Sequence, residues 1–188
     1  LVRRGGNVNA AIDGDGTPLS VAGREGHLDA VRFLLDRGAD PNIAVHGDGN
    51  ALIMAAREGR ADVVSLLLDR GANIDQIVPG DENALIQASG HGHLDVVKVL
   101  VARGADVNAR AHVDGGMHLK LDVHGMLIDM KSGKQLDESE ISAKTLKWEM
   151  KRASGDTTEG EWRTPLGQAR MGGHDEVVAF LLASGARE

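Results

Sequence analysis

The segment DGDGT at residues 13–17 has the alternating aspartates with which a calcium-binding loop begins. An EF-hand loop also needs a glutamate at its twelfth position, where this chain has Arg24. Thr17 followed by Pro18 instead has the pattern of a helix start, with a hydroxyl N-cap and a proline in the first turn. We therefore interpret residues 13–17 as a solvent-exposed turn.

Two neighbouring histidines, His91 and His93, are the next candidates for metal or acid–base chemistry. The Gly-His pair that contains His93 recurs at His27 and His174, at matching places in a repeated segment. This recurrence favours a structural role for His93 over metal binding.

A second histidine pair lies further along the sequence. His118 and His124 would share one face of a strand yet lie ~20 Å apart at ~3.3 Å per residue, which is too far for one metal ion. Only a reversal of direction that brings in His112 or Asp114 could complete a site. The sequence also contains no H-E-x-x-H, P-loop or G-x-S-x-G motif. It therefore predicts no enzyme, no metal site and no cofactor.

Composition narrows the remaining function classes. A formal net charge of −7 over 188 residues argues against nucleic-acid binding, which needs a phosphate-neutralising surface. The absence of cysteine excludes disulfides and thiolate chemistry. No apolar run approaches the ~20 residues that span a bilayer, so we expect no membrane insertion by this polypeptide.

One stretch of sequence, GHLDAVRFLLDRGADPN at residues 26–42, is repeated several times. Its counterparts are at 59–75, 92–108 and 173–188. The glycine of its RGA element recurs every 33 residues, and its counterpart returns a last time after one period plus an insertion of 48. These glycines are Gly5, Gly38, Gly71, Gly104 and Gly185. A period of this size predicts a stacked array of repeats.

Each repeat predicts two short helices separated by a glycine turn. In the first repeat, one helix begins after Thr17 and turns at Gly26, and a second runs from about Leu28 to Arg37. Gly38 is the expected left-handed cap of the second helix.

The same residue types recur at matching repeat positions, which predicts side chains buried between neighbouring repeats. Three such columns are Leu19, Leu52, Leu85 and Leu166; Ala22, Ala55, Ala88 and Ala169; and Phe33, Leu66, Val99 and Phe180. Asn50 and Asn83 replace threonine at the N-cap, where asparagine serves equally well.

These segments resemble the ankyrin repeat. The family's T-P-L-H-x-A element is matched by TPLSVA at 17–22 and TPLGQA at 164–169, and is varied to NALIMA at 50–55 and NALIQA at 83–88. The motif histidine is absent from every copy. The resemblance implies an all-α repeat solenoid of paired antiparallel helices with β-hairpin fingers, here with one α+β insertion. It also implies protein binding without catalysis.

On this register the polypeptide divides into six segments. They are the C-terminal half of a truncated repeat at 1–11, ankyrin repeats at 12–44, 45–77 and 78–110, an inserted α+β finger at 111–158, and a C-terminal repeat at 159–188.

The inserted finger has its own local patterns. Leu119 and Leu121 alternate with polar residues, which predicts a strand, and MLIDM at 126–130 is its expected hairpin partner. Asp137 and Glu140 resemble a capping box. Residues 138–152 fit either a helix or a third strand.

In the ankyrin family, finger tips and first helices line the concave binding face. The candidate partner-binding residues at these positions are Asp13, Asp15, Arg24, His46, Asp48, Arg57, Asp81, Glu82, His91 and Trp162. Acidic residues at three tips favour a protein partner with a basic or polar contact surface. Trp162 replaces the tip aspartate in the last repeat, either to anchor the insertion or to offer the partner an aromatic edge.

Two other interpretations stay open. The variants GDGNALI and GDENALI resemble ankyrin tails joined to bacterial membrane metallopeptidases of the beta-lactam-sensor type. Leu1 and Val2 begin within a helix pattern, so we expect a piece of a longer polypeptide. As such a tail, the array would act as a sensor in the periplasm; as a free module it would be cytoplasmic. A metal-dependent hydrolase would depend on the His and Asp residues of the insertion alone.

Overall fold

A computed structural model describes residues 6–12, 15–45, 49–78, 82–113, 119–121, 127–129 and 161–187. The protein forms two compact units. We call Leu1–Ala111 together with Trp162–Glu188 the array, and His112–Glu161 the insert unit.

The described part of the array consists of four helix pairs. The first helices of the pairs are α1 (Pro18–Glu25), α3 (Ala51–Arg57), α5 (Ala84–Gly90) and α7 (Pro165–Met171). The second helices are α2 (Leu28–Asp36), α4 (Ala61–Asp69), α6 (Leu94–Ala102) and α8 (Asp175–Ala183). Each first helix packs on the next first helix, and each second helix on the next second helix. The predicted all-α repeat array is confirmed.

The helix starts follow from their N-cap residues. The side-chain oxygens of Thr17, Asn50, Asn83 and Thr164 accept hydrogen bonds from backbone N–H groups three residues on, at 3.0, 2.8, 2.9 and 3.0 Å. Each bond satisfies a donor that the first turn of a helix leaves without a partner. Gly38 has φ 83°, so its predicted left-handed conformation is confirmed. Helix α2 ends at Asp36, one residue before the predicted end.

The predicted columns form much of the core. The four leucines of the first column are at most 2% exposed, and the four alanines of the second column are also buried. The third column, which begins at Phe33, is only partly buried and packs against the edge of this core. The first two columns are therefore confirmed as buried, whereas the third is covered less than expected.

Side-chain amides link successive repeats along the array. Asn9 and Asn42 each donate from Nδ2 to a backbone carbonyl one repeat later, at 3.2 Å. Asn108 makes the same bond to the carbonyl of Gly185 at 3.3 Å, although the insertion lies between them in the sequence. Helix α7 likewise packs on α5. The last repeat therefore stacks in register on the third.

Among the described residues, four short strands flank the insert unit or lie within it. Strand β1 (Ala111–Val113) pairs with β4 (Glu161–Arg163). Strand β2 (Leu119–Leu121) pairs antiparallel with β3 (Leu127–Asp129), which confirms the predicted hairpin. The capping box at Asp137 and the undecided segment 138–152 lie outside the described residues. Among the described helices, none has the length and apolar character needed to cross a membrane.

Candidate functional site

The first helices of the second, third and last repeats border an open pocket of about 290 Å³. Its lining comes from α3, α5 and α7 and from the residues next to them: Arg57, Glu82, Ile86, Gln87, Gly90, His91, Arg163 and Gln168. Three of the residues predicted to bind a partner, Arg57, Glu82 and His91, are thus brought together. The lining side chains that were not among the predicted ones are those of Ile86, Gln87, Arg163 and Gln168.

The residue before each first-helix N-cap explains why this pocket is charged. That position holds Gly16 and Gly49 in the first two repeats, with φ 76° and 61°. It holds Glu82 in the third repeat and Arg163 in the last. Glu82 keeps a positive φ of 29° and is the only non-glycine residue with a positive φ in the described ranges. Such a backbone costs of order 1–3 kcal/mol in a residue that has a Cβ, so Glu82 occupies a strained position.

Glu82 and Arg163 form an ion pair across the two adjacent repeats. The Glu82 side chain is 4% exposed, and its Oε1 accepts a hydrogen bond from Arg163 Nη1. Its Oε2 accepts a second bond from Gln87 Nε2 at 2.8 Å. A buried carboxylate is tolerated only when it is paired and hydrogen-bonded, and these two donors meet that requirement.

His91 sits at the C-terminal end of α5, with its ring stacked on His93 at 6.2 Å between ring centroids. Its Nδ1 lies 3.0 Å from the carbonyl oxygen of Gln87. Because a carbonyl oxygen only accepts, Nδ1 carries the proton in the neutral ring and Nε2 does not.

The Gly-His histidines have a repeated structural contact. Nε2 of His93 bonds to the carbonyl of Arg57 at 2.9 Å, and Nε2 of His174 bonds to the carbonyl of Gly90 at 3.0 Å. Arg60, at the same repeat position, donates from Nε to the carbonyl of Arg24 at 3.2 Å. This position therefore ties each repeat to the end of the preceding first helix, in agreement with the structural role expected for His93.

Arg24 and Arg57, at the ends of α1 and α3, have side chains that are 42% and 43% exposed and have different neighbours. Arg24 in α1 pairs with Glu25 at 3.2 Å, and Arg57 in α3 pairs more loosely with Glu58 at 3.8 Å. They occupy matching repeat positions, but of the two only Arg57 lines the pocket.

Two further predicted site residues, Trp162 and Asp15, are not part of the pocket lining. Trp162 on β4 is 54% exposed, and the Arg110 guanidinium lies over its ring at 4.8 Å from the centroid. Asp15 is exposed at the tip of the first finger. Asp13, His46, Asp48 and Asp81 lie outside the described residues.

The pocket is suited to recognition by hydrogen bonds and charge. Two guanidinium groups, two side-chain amides and an imidazole surround one carboxylate that already has its own partners. Within the described ranges, no group of three or more His, Cys, Asp or Glu side chains is arranged to hold a metal ion.

Comparison with protein families finds two matches. The model for ankyrin repeats in three copies matches residues 44–111, and the model for ankyrin repeats in many copies matches residues 19–68. No curated protein matches the sequence.

Proposed function

Because this chain is an ankyrin repeat protein, we propose that it is a non-catalytic module that binds another protein through its finger tips and first helices. Ankyrin repeats are generally protein–protein interaction modules. In that family the first helices line the concave face, and here they carry the charged pocket. The single observation that supports the proposal best is the meeting of Arg57, Glu82 and His91 in this pocket.

The distribution of residue types along the array supports the same face. The buried leucine and alanine columns keep one residue type in every repeat. By contrast, the position before the N-cap changes from glycine to glutamate to arginine along the array, although it is buried in the first three repeats. This change gives the third and last repeats a charged pair beside their first helices, which the first two repeats lack.

We further propose that the partner offers basic or polar groups to the finger tips. Asp15 is exposed, and Asp48 and Asp81 occupy the same repeat position in the next two fingers. Trp162 occupies that position in the last repeat, and its exposed indole can act as an aromatic anchor. Whether the insert unit takes part in binding stays a prediction.

Charge reversal tests this face. Changing Asp15, Asp48 and Asp81 to Lys should leave folding nearly unchanged. Asp15 is exposed, we expect the same of its two counterparts, and exposed charges contribute little to stability. The affinity for a protein partner should fall, and the loss should shrink as salt rises. Unchanged affinity of this triple variant at low salt would contradict the assignment.

A matched control makes the same charge change on the second helices. Asp29, Asp62 and Asp95 share one repeat position, are exposed and lie in the first turns of α2, α4 and α6. Their reversal to Lys costs about 0.3–1 kcal/mol each because the helix N-terminus favours acids. At temperatures below its unfolding transition, the second-helix variant should bind the partner as tightly as the parent protein does. The finger-tip variant should bind it more weakly.

Two alternatives to a free binding module are hypotheses, each with its own test. The regulatory tail of a bacterial membrane metallopeptidase is tested by the gene sequence upstream of Leu1. A metal-dependent hydrolase on the insertion is tested by metal analysis of the purified protein.

A further inference from the structure

We propose that the pocket between α3, α5 and α7 recognises a carboxylate group presented by the protein partner. The carboxylate belongs either to an aspartate or glutamate side chain or to the C-terminus of a polypeptide. This inference rests on the proposed function and deepens it, since it assigns the chemistry of one contact.

The charge of the lining carries the inference. Arg57 and Arg163 are the cationic lining residues, and Glu82 is the only acidic one. The pocket is thus more positive than negative within a protein whose formal net charge is −7. An anionic group is therefore attracted to this place more than to the surrounding acidic surface.

Glu82 does not turn the pocket into a cation site. Its side chain is almost fully buried, and its two oxygens are engaged by Arg163 and Gln87. Its role is to hold the Arg163 guanidinium and the Gln87 amide at the wall of the pocket. Glu82 is therefore a positioning residue.

Arg57 supplies the direct contact. Its side chain is 43% exposed, and its Nε lies 3.8 Å from Glu58 Oε1, a looser pair than the 3.2 Å pair of Arg24 and Glu25. The planar fork of an arginine matches the two oxygens of a carboxylate. Gln168 adds amide hydrogen-bonding groups to the lining, and Ile86 adds an apolar part suited to the methylenes of a glutamate.

The corresponding place one repeat earlier, between α1, α3 and α5, lacks this chemistry. There the residues that precede the N-caps of α3 and α5 are Gly49 and Glu82, and Gly49 has no side chain to pair. The carboxylate site therefore arises where two successive repeats have a glutamate and an arginine at this position. The array consequently contains its own comparison site, at Arg24 one repeat earlier.

Small probes test the pocket without the partner. In a ¹⁵N NMR titration of the whole protein, N-acetyl-glutamate α-amide should shift the resonances of Gln87, His91 and Gln168 and saturate at millimolar concentration. N-acetyl-glutamine α-amide, which lacks the charge, should not. N-acetyl-glycine carries only a terminal carboxylate, so stronger binding of it than of the glutamate probe would identify a polypeptide C-terminus as the source.

Two matched variants locate the contact. Arg57→Gln should weaken binding of the glutamate probe about threefold or more, the size expected for a partly exposed charge pair. Arg24→Gln, at the matching repeat position outside the pocket, should leave the probe affinity unchanged.

Three results would overturn the proposal: equal shifts from the glutamine probe, equal weakening by the two arginine variants, or tighter binding of inorganic phosphate than of the carboxylate probes. None of them affects the charge-reversal test of the finger tips. A failure of the pocket chemistry is thus distinguishable from a failure of the proposed function.

Discussion

Two asparagines at matching N-cap positions should respond in opposite directions to the same substitution. Asn50 and Asn83 are both buried, and both cap a first helix through Oδ1. Asn50 Nδ2 donates to Gln76 Oε1 at 3.0 Å. Asn83 Nδ2 has no hydrogen-bond partner among the described residues, because Ala109 stands where the preceding repeat has Gln76.

The magnitude follows from this difference. A buried donor without a partner costs about 1–3 kcal/mol, and a made hydrogen bond contributes about 0.5–1.5 kcal/mol. Threonine keeps the cap, because the backbone of Asn83 (φ −106°, ψ 172°) is close to that of Thr17 (φ −105°, ψ 158°). We expect Asn83→Thr to raise the free energy of unfolding by about 1 kcal/mol. Asn50→Thr should lower it by a similar amount, since Gln76 loses its donor.

Urea denaturation followed by far-ultraviolet circular dichroism measures both variants against the parent. The slope of the free energy with urea should stay the same, so that the shift of the midpoint reports stability alone. If both variants change the free energy of unfolding in the same direction and by the same amount, the inferred difference in hydrogen bonding between Asn50 and Asn83 is wrong.

The remaining predictions concern stacking and the insertion. Leu67→Ala and Leu100→Ala empty fully buried sites and should each cost about 2–5 kcal/mol of unfolding free energy, whereas Leu182→Ala, at a 44% exposed site, should cost less than about 1 kcal/mol. Equal losses in the same denaturation assay would mean that the buried face is misassigned. Deletion of residues 112–159 should leave cooperative helical unfolding intact, because the Asn108 bond to the last repeat and the packing of α5 on α7 lie outside the deleted segment. A non-cooperative thermal transition in the deletion variant would show that the insertion belongs to the core.

The repeated part of the fold was predictable because matching positions in each repeat have the same burial and therefore the same residue types. Leu19, Leu52 and Leu85 predicted one buried column, and the structure confirms it. Periodicity identifies a buried face but not how far it extends. This explains why the column that begins at Phe33 is only partly covered.

The charged pocket was only partly predictable. An alignment of the repeats shows the change from Gly49 to Glu82 and Arg163. It indicates that this position carries a charged side chain in the third and last repeats and none in the second. The pairing of Glu82 with Arg163 depends on how the last repeat stacks after a long insertion, which the repeat pattern alone does not specify. Arg163, Gln87 and Gln168 were therefore missed.

The central claim is that a protein partner binds the side of the array formed by the first helices. Site-specific photocrosslinking is the most direct test of this claim. A benzophenone amino acid placed at Met171, an exposed position on α7, is compared with one at Lys98, an exposed position on α6, in cells that express the protein from its own gene. Binding through the first helices predicts a discrete protein adduct at position 171 and none at position 98. An adduct at position 98 with none at position 171 would contradict the account.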